Sequence, residues 1–563
     1  MTSRYHRRRV QGRTELRRRN VRRACAATAV ALALAACGSK DLPVSSRAGT
    51  AAPVSDPTAD AGADAVDALL GTTPATDPGA ESTADDDNSA AADGTVAPDD
   101  PAAPITIDAA AAGRPIDGRL LGTNLPAWLG PQRLSNADFV DETIASGATL
   151  LRMPGGSWSN SYDWRACEVG DAEGCYFPNA ARPSDFVDFM QATGLPGSYT
   201  VSINRTPQSA AAAVAFFNGR VGDETVIGVD RDGFDWGTVD TWAQLRAEGG
   251  NPDPVPIELW EVGNEVYGGK PETGGADCAP FGWEDVWTCD GTEYVEGTAD
   301  HDGYLAFRRA MLAVDPTIEV GAVGVPDPAG WNDWGNEVIT AAGDQLDYYI
   351  VHQYGFDSSP APDEALSRPP ELWPAVVSGV RAALPDDTPI AVTEYNLVAV
   401  ENRDTEQSMK KAMNALYLAD SIGQMAANGV SIANQWDLAG GSAPSTGTNY
   451  GMIDVDDEPN LVRLPAFEAL AMWGRAGSTL LPPTVTSGLR VYPTRHDDGR
   501  LTVIVVNPGE ATSRTLELTG DIAGLDGAPV ELTSVGAPDP TAAAMDPAAT
   551  TQVGAVGTTL TID

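Results

Sequence analysis

Between residues 120 and 438 the chain alternates short apolar runs with longer segments of helical periodicity. The apolar runs are Leu120–Leu125, Leu150–Gly156, Ser198–Asn204, Ile257–Glu265, Ile318–Gly324, Leu346–Tyr354, Ile390–Asn396 and Ser431–Leu438. Most are near-continuous rather than alternating, as expected of parallel strands buried on both faces. The helix candidates between them are Ala137–Ile144, Pro183–Gln191, Gln208–Phe217, Tyr304–Val314, Trp373–Leu384 and Glu406–Ala427. Eight such units in roughly 350 residues predict a (β/α)8 TIM barrel with insertions. An open doubly wound sheet would carry a glycine-rich phosphate loop after its first strand, and Gly122-Thr-Asn-Leu125 is not one. After a last helix near Pro465–Trp473 the pattern changes to short alternating runs, Leu489–Arg495, Leu501–Asn507, Arg514–Thr519, Val530–Val535 and Thr558–Ile562. That is the signature of an antiparallel β-sandwich. The expected domains are a barrel over 105–475 and a C-terminal sandwich over 476–563. Ile105–Asp108, ahead of the first barrel strand, is a candidate partner for the second sheet.

Polar residues gather where the apolar runs end, on the face where such a barrel carries its chemistry. The fourth run, Ile257-Glu-Leu-Trp-Glu-Val-Gly-Asn-Glu265, ends in Asn264 and Glu265. The seventh ends in Thr393-Glu394-Tyr-Asn396. Fourth and seventh strands face each other across an eight-fold mouth, so these two carboxylates can flank one bond. A pair about 5 Å apart is the arrangement of a retaining glycosidase, one group serving as acid/base and the other as nucleophile. The other strand ends supply Arg152, Asn204, the pair His352 and Tyr354, and Trp436. Arg152 and Tyr354 suit a hydrogen-bonded nucleophile, and Trp436 offers a flat face to a sugar ring. Taken singly, each has a plainer reading: Arg152 as an internal ion pair, His352 as a core histidine and Trp436 as a packing residue.

Composition changes the picture outside the barrel. Lys+Arg 36 against Asp+Glu 79 gives a net charge of -43, which disfavours nucleic acid as a partner. At the N-terminus, Arg7–Arg9 and Arg17–Arg19 precede an apolar stretch too short to cross a bilayer, the layout of a secretory signal. Leu34-Ala-Ala-Cys37 resembles the bacterial lipobox, which implies cleavage before Cys37 and lipidation of its thiol, anchoring an extracytoplasmic protein to the membrane. Residues 38–104, rich in Ala, Asp, Thr and Pro with the run Asp85–Asp87, have nothing to offset the entropy of ordering and predict a disordered tether. Besides Cys25 and Cys37, the cysteines form two close pairs, Cys167 with Cys175 and Cys278 with Cys289, suited to loop-clamping disulfides in insertions at the barrel mouth. Zinc is the competing use, but no CxxC spacing occurs and the chain has four His.

The segments Leu151-Arg-Met-Pro-Gly-Gly156, Tyr162-Asp-Trp164, Trp260-Glu-Val-Gly-Asn-Glu265, Val351-His-Gln-Tyr354 and Thr393-Glu-Tyr-Asn396 resemble those of clan A glycoside hydrolases. The likeness is greatest to family 51 α-L-arabinofuranosidases and extends from about Ile105 to the C-terminus. It implies Glu265 as acid/base, Glu394 as nucleophile, Asn264 as partner of the sugar 2-hydroxyl, and Arg152, His352 and Tyr354 as support. It implies a polysaccharide or oligosaccharide substrate, and neither metal nor organic cofactor. Two positions depart from the family: no Glu follows the first strand in Gly122-Thr-Asn-Leu-Pro-Ala-Trp128, and Ser157 stands where an Asn usually follows Pro-Gly-Gly. Another clan A activity (xylosidase-, glucuronidase- or endoglucanase-like) and a non-catalytic sugar-binding lipoprotein are the alternatives. The motifs leave the sugar, the choice of exo- or endo-action and the oligomeric state open.

Overall fold

Eight parallel strands close into a barrel: β1 (Gly122–Asn124), β2 (Leu150–Met153), β3 (Gly197–Val201), β4 (Leu259–Val262), β5 (Glu319–Val323), β6 (Tyr348–His352), β7 (Ile390–Tyr395) and β8 (Ile432–Gln435), with β8 pairing back to β1. This computed structural model describes residue 100 and residues 103–562, except 172–173, 176–178, 271–272, 274–277, 279–281, 386, 457–458, 510–511, 521–528 and 556–558. The signal sequence, Cys25, Cys37 and nearly all of the tether lie outside the described residues. All eight strands coincide with the predicted apolar runs and are shorter than them, with β3 beginning one residue early, at Gly197.

Inward positions repeat every second residue along a strand. Leu150, Leu259, Tyr348, Ile350, Ala391 and Ile432 form one buried cluster. Arg152, Glu261 and His352 stand two residues further along β2, β4 and β6, on the same inward face. The barrel is thus apolar inside at one level and charged at the next, toward the strands' C-terminal ends. Its outer shell is the large core cluster, which includes the fully buried Trp260, Trp334, Trp373 and Trp473.

The helices follow the predicted segments closely. Tyr304–Val314 is a helix over the same bounds, and the segment beginning at Glu406 becomes helical at Ala412–Asn428. Among the helices not anticipated are Val239–Glu248, Gly291–Glu296 and Gly330–Ala342. The first belongs to an insertion before β4, where Trp164, Trp236 and Trp242 pack together.

Past the helix Pro465–Trp473, a five-stranded sheet holds Thr479–Leu480, Thr484–Val485, Arg490–Arg495 and Leu501–Val506, joined by Arg114–Pro115 from before the barrel. Ile105–Asp108 pairs with Leu516–Thr519, in parallel. Ile105 and Ile107 share a buried cluster with Leu481, Leu489 and Val491, against which Leu516 and Leu518 pack. The second layer therefore takes strands from both ends of the barrel, and the boundary at 476 marks only one of its seams. On the barrel side, Asp420 of the helix Ala412–Asn428 accepts from Arg490 Nε at 3.2 Å and from the Tyr492 hydroxyl, and Gln424 Nε2 donates to that hydroxyl at 2.8 Å.

Candidate active site

The tip of β4 is shaped by backbone as much as by side chains. Gly263 has φ +80°, and a Cβ there would stand 2.7 Å from Val266 Cγ2, so the turn admits only glycine. Glu265 itself is left-handed (φ 42°, ψ 40°), uncommon for a residue with a side chain and costing on the order of 1 kcal/mol. That conformation turns its carboxylate toward β6 and β7.

Glu265, His352 and Glu394 each bring a carboxylate oxygen or ring nitrogen within 4.8 Å of the others. His352 and Glu394 are register partners across β6 and β7, beside an irregularity at Val351/His352. His352 Nδ1 is 2.8 Å from Glu265 Oε1 and 3.6 Å from Glu394 Oε2, while its Nε2 meets Thr393 Oγ1 at 3.0 Å. The three side chains are 17 %, 5 % and 7 % exposed, in that order, so they line a narrow opening. Their spacing is one a divalent cation accepts, but the guanidinium of Arg152 supplies positive charge from the protein itself.

Arg152 organises the layer beneath. Fully buried, it donates from Nε to both oxygens of Glu261 (3.1 and 2.9 Å), from Nη1 to Asn124 Oδ1 (2.9 Å) and Glu394 Oε1 (3.0 Å), and from Nη2 to Asn264 Oδ1 (2.9 Å). Burial disfavours the guanidinium's charge, but Glu261 and Glu394 outweigh it and hold Arg152 above its ordinary value. The Tyr354 hydroxyl donates to Glu394 Oε2 at 2.9 Å; burial, then the charge of Glu394, keep this phenol neutral. Burial also lifts the Glu394 carboxyl above the ordinary range, aided by Glu265 and opposed by His352, Arg152 and Tyr354. For Glu265, burial is again the largest influence, but His352, Trp283 and Tyr267 together outweigh it and lower its pKa.

Six predicted residues thus converge: Arg152, Asn264, Glu265, His352, Tyr354 and Glu394. Two sit at the margin. Exposed Asn204 donates from Nδ2 to the carbonyls of Asn160 (3.1 Å) and Asp285 (2.6 Å), tying loops together. Trp436 is 8 % exposed, its ring edge against Gly156, where a Cβ would lie 2.4 Å from Cη2, and T-shaped to Trp128 at 5.8 Å. Little of that ring is left as the platform expected of it. The cysteines pair as Cys167–Cys175 and Cys278–Cys289.

Three participants escaped sequence reasoning. Glu261 lies inside the apolar run of β4, a carboxylate in a buried strand that was itself the available signal. Trp283 and Glu284 come from the insertion after β4. Trp283 Nε1 donates to Glu265 Oε2 at 2.6 Å, and Glu284 receives Ser157 Oγ (2.5 Å), Asn160 Nδ2 (2.8 Å) and Asn264 Nδ2 (3.1 Å). Burial, reinforced by the charge of Glu265, pushes the Glu284 carboxyl up to about 8.

A (β/α)8 barrel presenting paired carboxylates at the ends of β4 and β7 defines the class of this protein. Among solved structures, the arabinose complex of the Thermotoga maritima α-L-arabinofuranosidase superposes with TM-score 0.60 at 18% identity, covering 82% of this chain and 96% of that chain. A family 51 α-L-arabinofuranosidase from Bifidobacterium longum gives TM-score 0.60 at 18% identity, covering 81% and 95%. These likenesses establish a shared fold. Among curated proteins, the intracellular exo-α-(1→5)-L-arabinofuranosidase of Bifidobacterium longum is 24% identical over 231 residues, 39% of this chain and 34% of that protein. Its counterpart in Halalkalibacterium halodurans is 25% identical over 219 residues, 36% of each. The chain spans about a third of the length of the curated relatives it matches. No family model matches it.

Proposed function

We infer that this chain is a retaining glycoside hydrolase that releases α-L-arabinofuranosyl groups from polysaccharides or oligosaccharides. The observation that carries the reading is the approach of the Glu265 and Glu394 carboxylates to within 4.8 Å. That spacing suits direct attack by one carboxylate, whereas an inverting pair stands about 6.5–9.5 Å apart to admit a water. The arabinofuranosyl specificity rests on the relatives, which carry that activity in their names.

In the first step Glu394 attacks the anomeric carbon, forming a glycosyl ester. The bond to the leaving oxygen breaks with its electron pair, and that oxygen takes the proton of Glu265. In the second step Glu265, now a carboxylate, removes a proton from water as the water attacks the same carbon and the ester bond to Glu394 breaks. His352 Nδ1, 2.8 Å from Glu265 Oε1, fixes the orientation of that carboxyl. Arg152 and Tyr354 stabilise the charge of Glu394 before attack and after the ester is released.

Aryl α-L-arabinofuranosides, xylosides and glucuronides offered to the wild type and to Glu394→Gly test this. Loss of turnover on the arabinofuranoside, restored by azide with a glycosyl azide of inverted configuration, is the expected result. Full activity of Glu394→Gly, or preference for another glycoside, overturns the assignment of nucleophile or of sugar. The lipobox at Cys37 and the two disulfides support an exported, lipid-anchored enzyme. Palmitate labelling that is absent from Cys37→Ala tests that placement.

A further inference from the structure

Two consecutive residues of the insertion after β4 grip the two consecutive residues at its tip. Trp283 donates to Glu265, and Glu284 accepts from Asn264. The grip is backed by main chain: the amides of Trp283 and Glu284 both donate to the carbonyl of Gly268, at 3.1 and 2.9 Å, and the amide of Lys270 donates to the carbonyl of Glu284 at 3.0 Å. Behind the indole stand Tyr267 at 5.9 Å and Trp331 at 5.2 Å, both edge-on and themselves 5.0 Å apart, so one side of the ring rests on a packed aromatic pair. Glu284 is 1 % exposed and also holds Ser157 and Asn160 of the loop after β2.

The consequence lies in which Glu265 oxygen can carry a proton. Oε2 receives the indole N–H at 2.6 Å, and an N–H can only donate. A protonated Oε2 would be a poorer acceptor for that N–H than a carbonyl-type oxygen, so the contact favours the proton on Oε1. Oε1 faces His352 Nδ1, which also lies 3.6 Å from Glu394 Oε2, so Oε1 is the oxygen turned toward the gap between the carboxylates. Resting on the glycosidase reading above, we propose that Trp283 is a positioning residue for acid catalysis, confining the exchangeable proton of Glu265 to Oε1, with Glu284 anchoring the segment that aims the indole. The groups bearing on the Glu265 carboxyl are His352 of β6, Glu394 of β7, Tyr267 beside it and Glu284 from the same insertion as Trp283.

Trp283→Phe keeps the ring and removes the donor. Leaving groups of high basicity need the proton, and dinitrophenyl does not. The variant is therefore expected to lose about 10- to 100-fold in kcat/KM on phenyl arabinofuranoside and arabino-oligosaccharide, a fraction of the usual contribution of general acid catalysis. On the dinitrophenyl glycoside the loss should stay under about threefold by the same logic. Because the N–H stabilises the anion, its removal also moves the basic limb of the pH profile upward. Equal losses on all leaving groups with an unmoved pH profile would reduce Trp283 to a packing residue. A second measurement needs no substrate: the Glu265 carboxyl, followed by 13C NMR and assigned with Glu265→Gln, should titrate at higher pH in Trp283→Phe than in wild type. An unchanged titration overturns the proposal. A wild type that cleaves no glycoside, yet shows this shift, would instead remove the glycosidase reading and leave the placement of the proton intact.

Discussion

Glu284 offers a direct measure of what it costs to hold a carboxyl at the barrel mouth. Its pKa in the folded chain is about 8, against an ordinary 4.5. The folded form therefore holds its proton more tightly than the unfolded form. Its contribution to stability is complete below pH 4.5 and is lost as pH rises through 8. At about 1.4 kcal/mol per pH unit, the difference sets a ceiling of about 5 kcal/mol, and relaxation of the loop will make the observed value smaller. Glu284→Gln removes the titration at nearly constant volume. It also gives up one acceptor: with Ser157, Asn160 and Asn264 all pointing at the carboxyl, the amide of Gln cannot receive every donor, a loss of about 1 kcal/mol. The wild type should thus be the more stable by about 1 kcal/mol below pH 4.5, the two should become equal at about pH 5–6, and the variant should be the more stable at higher pH. Urea denaturation of both proteins from pH 4 to 9 reads this as a crossing of the two stability curves. Two parallel curves would mean that Glu284 is ionised throughout, and the account of its burial would be wrong.

Other consequences concern the pair and its support. Because burial raises Glu394 above the ordinary carboxylate range, the nucleophile ionises at higher pH than a free side chain, and the acid limb of kcat/KM should lie above pH 4.5; a limb at or below that value contradicts the environment described. Arg152→Met leaves Glu261 and Glu394 buried without their shared cation, a change expected to cost about 3–5 kcal/mol by chemical denaturation as well as activity. A variant of wild-type stability would show that these carboxylates bind protons rather than the guanidinium.

The chain's own pattern determined the barrel and most of the site. A buried parallel strand must be apolar along nearly its whole length, so its end is visible where polar residues resume, and in a barrel those ends meet at one face. Asn264, Glu265, His352, Tyr354, Glu394 and Arg152 all sit at or next to such an end. The strands after the barrel were visible as short runs separated by turn residues. What local pattern does not carry is the partner of a group that is unfavourable on its own. Glu261 is tolerable in an apolar strand because Arg152, 109 residues earlier, reaches it from two strands away and Thr200 of the strand between donates to it as well. Trp283 and Glu284 lie in an insertion with no periodicity to read, and acquire roles only when the main chain near Gly268 brings them back over the tip of β4. Trp436 shows the reverse, since its exposure was decided by a glycine at 156 that closes against the ring. Ile105–Asp108 found its place through a parallel partner more than 400 residues away, a pairing that barrel closure permits and no local signal encodes.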